Sequence, residues 1–306
     1  MLNSGRLMRR LGQTMRRGKS ATLTGSSSAR HRSGSGLRPL LDPLTIASVA
    51  ILLVLGTAAL LAPLLVPGDP SRIDLSRVAL PPSREHFLGT DLMGRDLLRM
   101  ALYGARISLT VGTTAAGIAA LMGLVLGLAA AYRGGWVDAA VCRLVDASIA
   151  MPAFFLLIAI QSILGPSVAN VILMVSLVGW MLVARVVRAF TLSLKEREFV
   201  LAARSLGCTG ERIVFRHILP NLLDQVAVLY ALGVADALLM ESALSFLGLG
   251  VPPTEPSWGN MLSDAQAGIL SGAWWMVVFP GGLILLTAMA INLIGDGLQA
   301  FFRREA

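Results

Sequence analysis

The groups with the chemistry to act on another molecule are few in this chain: three histidines, two cysteines and a handful of ionisable side chains inside apolar runs. His31, His86 and His217 all fall outside those runs, so an intramembrane serine or zinc protease would lack its base or its metal ligand. Cys142 and Cys208 have neither metal-ligand spacing nor a disulfide framework, and read as packing residues. Gly18-Lys19-Ser20 ends like a phosphate loop, but Gln13 stands where that loop needs its first glycine, and no strand-to-helix context surrounds it. Asp236, Glu241 and Arg185 remain. Each lies in an apolar run, where a charge is costly and needs a reason. Contact with a transported solute, a proton relay, or a hydrogen bond to a neighbouring helix would supply one for the two carboxylates. Arg185 is near enough to a run's end to snorkel.

The elements that carry these groups are membrane spans. Of 306 residues, 55% are hydrophobic and 14% charged, and the mean hydropathy is +0.71. A soluble domain carries about 25% charged residues, so a soluble enzyme and a disordered chain are both excluded. The net charge of +8 is uneven: nine of the 26 basic residues precede position 40, and no acidic residue precedes Asp42. That is a basic cytoplasmic flank rather than a nucleic-acid surface. Residues 1–40, rich in Ser, Gly and Arg, read as a flexible cytoplasmic tail. Its Arg9-Arg10 pair lies too far before the first apolar run to be an export signal.

Six apolar runs follow, near residues 44–66, 108–131, 145–164, 171–190, 223–247 and 274–298. Each approaches the roughly 20 residues a span requires. Gly123 and Gly127 form a Gly-x-x-x-Gly pair suited to close helix packing. Pro152 and Pro280 are expected at kinks or helix starts. Arginines gather in alternate connections, from Arg133 and Arg143 through Arg185, Arg188 and Arg216 to Arg303 and Arg304. Residues 67–100 carry balanced charge and the connection after the fifth run only Glu255 and Asp264. The bias places both termini in the cytoplasm.

Residues 192–221, between the fourth and fifth runs, are too polar for lipid and too patterned for a linker. Phe199, Ala202, Ala203 and Leu206 share one helical face. Gly207 suits the left-handed turn that ends a helix. Thr209 is placed to cap a second short helix, whose apolar side is Ile213, Val214 and Ile218, and Pro220 closes the segment. A DNA-binding helix-turn-helix and an amphipathic helix resting on lipid are the alternatives.

Leu201-Ala202-Ala203, Gly207 and Ile218-Leu219-Pro220-Asn221 resemble the Glu-Ala-Ala loop of permease subunits in ATP-driven bacterial importers. Leu201 replaces the usual glutamate, and Glu198, three residues earlier on the same face, is its expected substitute. Glu85-His86-Phe87-Leu88-Gly89-Thr90-Asp91, Gly94-Arg95-Asp96 and Tyr103-Gly104-Ala105-Arg106-Ile107-Ser108-Leu109 are similar to the C-type permease of dipeptide, oligopeptide and nickel importers, with Arg99-Met100 where Ser-Arg is usual. Glu241-Ser242-Ala243-Leu244-Ser245-Phe246-Leu247-Gly248-Leu249-Gly250, Pro256-Ser257-Trp258-Gly259-Asn260-Met261, Trp274-Trp275 and Asn292-Leu293-Ile294-Gly295-Asp296-Gly297-Leu298 extend the match over essentially everything from residue 40 onward.

The resemblance implies an all-α membrane protein with six transmembrane helices, the type I ABC importer permease fold with a cytoplasmic coupling helix. The first helix and an extracytoplasmic segment would occupy residues 41–104, and a five-helix permease core 105–302. It further implies a non-enzymatic half-pore in the cell membrane. Its partners would be a second related permease subunit, two cytosolic ATPase subunits that use the ATP, and an extracytoplasmic substrate-binding protein, with no cofactor bound by this chain. ATPase coupling falls to Glu198, Leu201, Ala202, Ala203, Arg204, Ser205, Gly207, Glu211, Arg212 and Pro220. Asp236 and Glu241 are candidates for the translocation path. Peptide is the expected cargo, with nickel, glutathione or haem as family alternatives. An ion-gradient-driven secondary transporter is the alternative from another class, although no internal inverted repeat supports it.

Overall fold

The computed structural model describes residues 42–149 and 152–305, so the expectations for the tail lie outside the described residues. Those residues form helices, with one isolated bridge between Thr90 and Asp96. In chain order the helices are α1 (Pro43–Leu60), α2 (Ala62–Leu65), α3 (Leu97–Arg133), α4 (Gly135–Ile149), α5 (Ala153–Leu164) and α6 (Val168–Lys195). They continue with α7 (Glu198–Ser205), α8 (Gly210–Ile213), α9 (Leu219–Phe246), α10 (Trp258–Leu270) and α11 (Trp275–Glu305). Five helical segments are long and apolar enough to cross a membrane, or six if the bent pair α4–α5 counts as one span.

α3 is the spine. It starts eleven residues before the expected 108, because the Asp96 carboxylate caps it by accepting from the Arg99 N–H at 3.0 Å. At 1.5 Å per residue its 37 residues reach about 55 Å, well beyond a hydrocarbon core of ~30 Å. α6 and α9 pack along it, α11 packs on α9, and α1 rests on α11. The Gly123/Gly127 pair is where α6 meets α3. A Cβ at Gly127 would lie 2.5 Å from the Ala184 carbonyl oxygen, and one at Gly123 2.8 Å from that of Trp180. Backbone thus meets side-chain-free backbone, the arrangement that favours association where both helices and lipid are apolar.

The third run is divided at Pro152, one of the two prolines expected at a kink or helix start. α4 and α5 meet at 86° on either side of residues 150–152. Pro152, as the N-cap of α5, has no N–H to continue a helix and disfavours helical geometry in the residue before it. Pro280, by contrast, lies within α11, in its second turn.

Two packed regions hold the ends of the bundle. At one end, here the cap end, to which residues 67–96 and 247–274 belong, Leu97, Met100, Trp258, Met261, Trp275 and Met276 form a buried cluster with Leu88 and Leu92 packed against it. At the opposite, loop end, Val183, Val187, Val200, Ile213, Ile218 and Leu222 gather α6 to α9 around α7.

Candidate functional site

The loop-end helices show three local devices. α7 stops in a Schellman turn: Gly207 sits at φ +79°, its N–H donates to the Arg204 carbonyl, and the Cys208 N–H donates to the Ala203 carbonyl at 3.1 Å. Thr209 stands at the N-cap of α8 but makes no side-chain cap bond. Gly210 then lets the chain pass Tyr132 of α3, whose hydroxyl oxygen would lie 2.7 Å from any Cβ there.

The third device corrects the reading of Pro220 as the end of the segment. Residues Val214–Ile218 form a π-helical turn that runs straight into α9, so Gly210–Phe246 is one 37-residue helical rod. Proline normally breaks a helix because it lacks an N–H and its ring meets the carbonyl four residues earlier. The wider π-turn removes that demand ahead of Pro220. The Asn221 amide also donates to the His217 carbonyl at 2.6 Å.

Burial divides the loop's surface otherwise than the sequence suggests. Val200 and Ala203 face inward, so Ala203 is enclosed by its own bundle and presents nothing outward. Phe199, Leu201, Ala202, Ser205 and Gly207 are exposed, and Leu206 is 84% exposed. Glu198, Arg204, Glu211, Arg212 and Pro220 are exposed around them. Phe215, 68% exposed, joins this surface and had no place in the sequence pattern. Of the four residues expected to share one face, Phe199, Ala202 and Leu206 are open and Ala203 alone is turned inward.

The two membrane carboxylates part company. Glu241 is fully buried. Its Oε2 accepts from Ser108 at 3.0 Å and Ser242 at 3.3 Å, and its Oε1 from Ser245 at 2.8 Å. The same serine oxygens accept backbone N–H groups: Ser108 from Trp258, Ser245 from Val251. Gly259 completes the fit, since a Cβ there would lie 2.7 Å from the Ser242 carbonyl oxygen. This polar knot ties α3, α9 and the cap together, and Glu241 has no surface to offer a solute. Asp236, five residues earlier, is exposed and lines a cleft of about 220 Å³ between α3, α6 and α9.

The cap is built around Arg95. It bonds Asp91 at 2.5 Å and Asp264 of α10 at 2.6 Å. Burial pulls the pKa of this guanidinium down, but the two carboxylates outweigh that and raise it. The Trp275 indole donates to the Thr90 carbonyl, and His86 Nδ1 lies 2.7 Å from Asp96. The motif residues of both connections therefore converge on one folded cap. Arg185, expected to snorkel, pairs with exposed Asp146, while Arg188 grips Asp138 through two nitrogens.

Comparison with known proteins agrees with this architecture. The family model described as "Binding-protein-dependent transport system inner membrane component" matches residues 123–306. The dipeptide transport system permease protein DppC of Bacillus subtilis is 40% identical over 258 residues, covering 84% of this chain and 81% of that one. DppC of Alkalihalophilus pseudofirmus is 42% identical, covering 84% of each. Apolar helices in this order, a structured polar loop rigidly joined to a span, and a relationship that runs through cap, knot and loop alike lead to one placement: this chain belongs to the binding-protein-dependent inner-membrane permeases, as a multi-pass membrane subunit.

Proposed function

We propose that this chain is one transmembrane half of an ATP-driven peptide importer, with peptide as cargo because the relatives' names are those of dipeptide permeases. It pairs with a second, related permease subunit. Its loop end faces the cytoplasm with both termini, and seats on one of two ATPase subunits. Its cap end faces outward and receives the substrate-loaded binding protein. The chain hydrolyses nothing itself; ATP is used by the partners.

The observation that carries this reading is the open surface of α7. Leu201 and Leu206 stand exposed on α7, rimmed by Arg204, Glu211 and Arg212, and α7 packs through Val200 and Ala203 against the foot of the helical rod that runs into a span. A helix packed in an ATPase groove moves as a rigid body, and the rod Gly210–Phe246 would carry that displacement into the membrane. Reconstitution tests it. The subunit alone in liposomes moves no peptide under a proton or sodium gradient. With its permease partner, ATPases and loaded binding protein it gives ATP-dependent uptake. Gradient-driven accumulation by the isolated subunit would refute the proposal.

A further inference from the structure

Asp236 is a carboxylate without a partner in the middle of a span. Among the described residues it has neither a hydrogen-bond donor nor a cation beside it. It lies ten residues from the cap end of α9, about 15 Å along the axis and hence near half the depth of a ~30 Å hydrocarbon layer. A charge facing lipid at that depth costs about 2.5–3.5 kcal/mol on insertion scales. Glu241 escapes a similar cost through three serine hydroxyls; Asp236 has no such shell.

Its surroundings are hollow rather than flat. Ala115 and Ala119 of α3, Gly179 of α6 and Gly233 of α9 line the cleft with small side chains, and among the described residues Asp236 is its sole ionisable group. The cleft's volume of about 220 Å³ is well above what a single water needs. A flat, filled helix face would point to a partner helix. A recess with one anionic wall has room for the end of a small cationic molecule.

We propose that Asp236 is the counter-charge for the α-ammonium of a peptide passing through the complex. This rests on the peptide-importer reading. The α-amino group, with a pKa of about 7.7–8.0, is cationic near neutrality. It is present on every unblocked peptide whatever its side chains, so one carboxylate serves cargo of any sequence. A single such contact lowers the cost of carrying the ammonium past apolar helices without selecting among side chains. Asp236 is then a specificity residue for the free amino terminus.

The test uses the complete complex in proteoliposomes with its loaded binding protein, comparing wild type, Asp236→Asn and Asp236→Glu. The expected result for Asp236→Asn is a maximal peptide uptake rate lowered about tenfold, a barrier change of ~1.4 kcal/mol. Half-saturating peptide concentration, subunit stoichiometry and binding-protein-stimulated ATP hydrolysis stay unchanged, and Asp236→Glu recovers most of the uptake. Uptake by Asp236→Asn at the wild-type rate overturns the inference. So does loss of the second permease subunit on purification, which would make Asp236 half of an interfacial ion pair. A parallel fall in ATP hydrolysis also overturns it, since that marks a coupling defect. A wild-type complex that imports no peptide at all is a separate result and removes the peptide reading itself.

Discussion

Charged residues in this chain are used in opposite ways at neighbouring positions, and the difference lies in their donors and acceptors. Arg95 is 8% exposed and Asp91 1%. Removing one member of such a pair leaves the other buried and uncompensated, which costs about 3–5 kcal/mol. Arg95→Met should therefore lower the thermal unfolding midpoint of the purified complex by several degrees, whereas Arg72→Gln, on an exposed side chain of the same cap, should leave it unchanged. Equal midpoints for the two variants would show that the ion cluster does not hold the cap. The sequence marked Gly94-Arg95-Asp96 and Glu241-Ser242 as motifs by their order alone. Their structural role was illegible there, because the partners lie far along the chain: Asp264 for Arg95 and Ser108 for Glu241. Asp236 and Glu241 look alike in sequence, both acidic and five apart on one apolar run. Only the three serines of α3 and α9 that bond Glu241, and the absence of such donors around Asp236 among the described residues, separate them. Leu201 was legible as a departure, and at 46% exposure the side chain standing where a glutamate is usual is left open by the described residues.

Helix periodicity revealed which segments are helical better than it revealed where they join. The Gly207 turn could be read directly, because a left-handed residue at a helix end leaves a glycine as its trace. The join at Pro220 could not, since proline ordinarily signals a stop and a π-turn has no sequence signature of its own. Nor could pattern decide which side of α7 faces home: a two-turn helix with apolar residues on both sides gives one periodicity for two surfaces. The third run has a continuous apolar composition and a backbone broken at Pro152, and there the proline itself was the legible trace of the break. Two consequences belong to this scale. Gly127→Leu drives a side chain into the Ala184 carbonyl, an overpacking of about 1–3 kcal/mol where no rotamer gives relief. Its folded yield in membranes should fall sharply, while Gly117→Ala, whose nearest neighbour is Tyr230 at 3.8 Å, folds normally. If the rod from α8 into α9 transmits the stroke, softening it should uncouple the machine. Arg216→Gly with His217→Gly costs about 1 kcal/mol of helix propensity per site without touching the buried Ile218. ATP hydrolysis should persist while uptake per ATP falls severalfold. Unchanged uptake per ATP would show that the joint need not be stiff.

At the scale of the whole molecule both ends have a buried apolar cluster, and they differ in what surrounds it. The cap end adds a buried Arg95–Asp91 pair and serine hydrogen bonds to Glu241, whereas the loop end leaves apolar side chains of α7 open beside its cluster. An import machine asks for this asymmetry. The receiving face has to keep its shape while solute is handed over, whereas the driven face has to move as one piece with its span. The proposed orientation makes the asymmetry functional, and it can be tested without transport. Ser205 lies on the exposed face of α7, and Glu255 is exposed in the turn before α10, at opposite ends of the bundle. The native thiols, Cys142 and Cys208, are partly buried and are replaced by alanine to give a silent background. In intact cells a membrane-impermeant maleimide should then label Glu255→Cys and leave Ser205→Cys unlabelled, and permeabilising the membrane should expose both. The reverse pattern would turn the subunit over. It would place the α7 surface outside, away from cytosolic ATPases, and the coupling role of Leu201, Arg204 and Gly207 would fall with it.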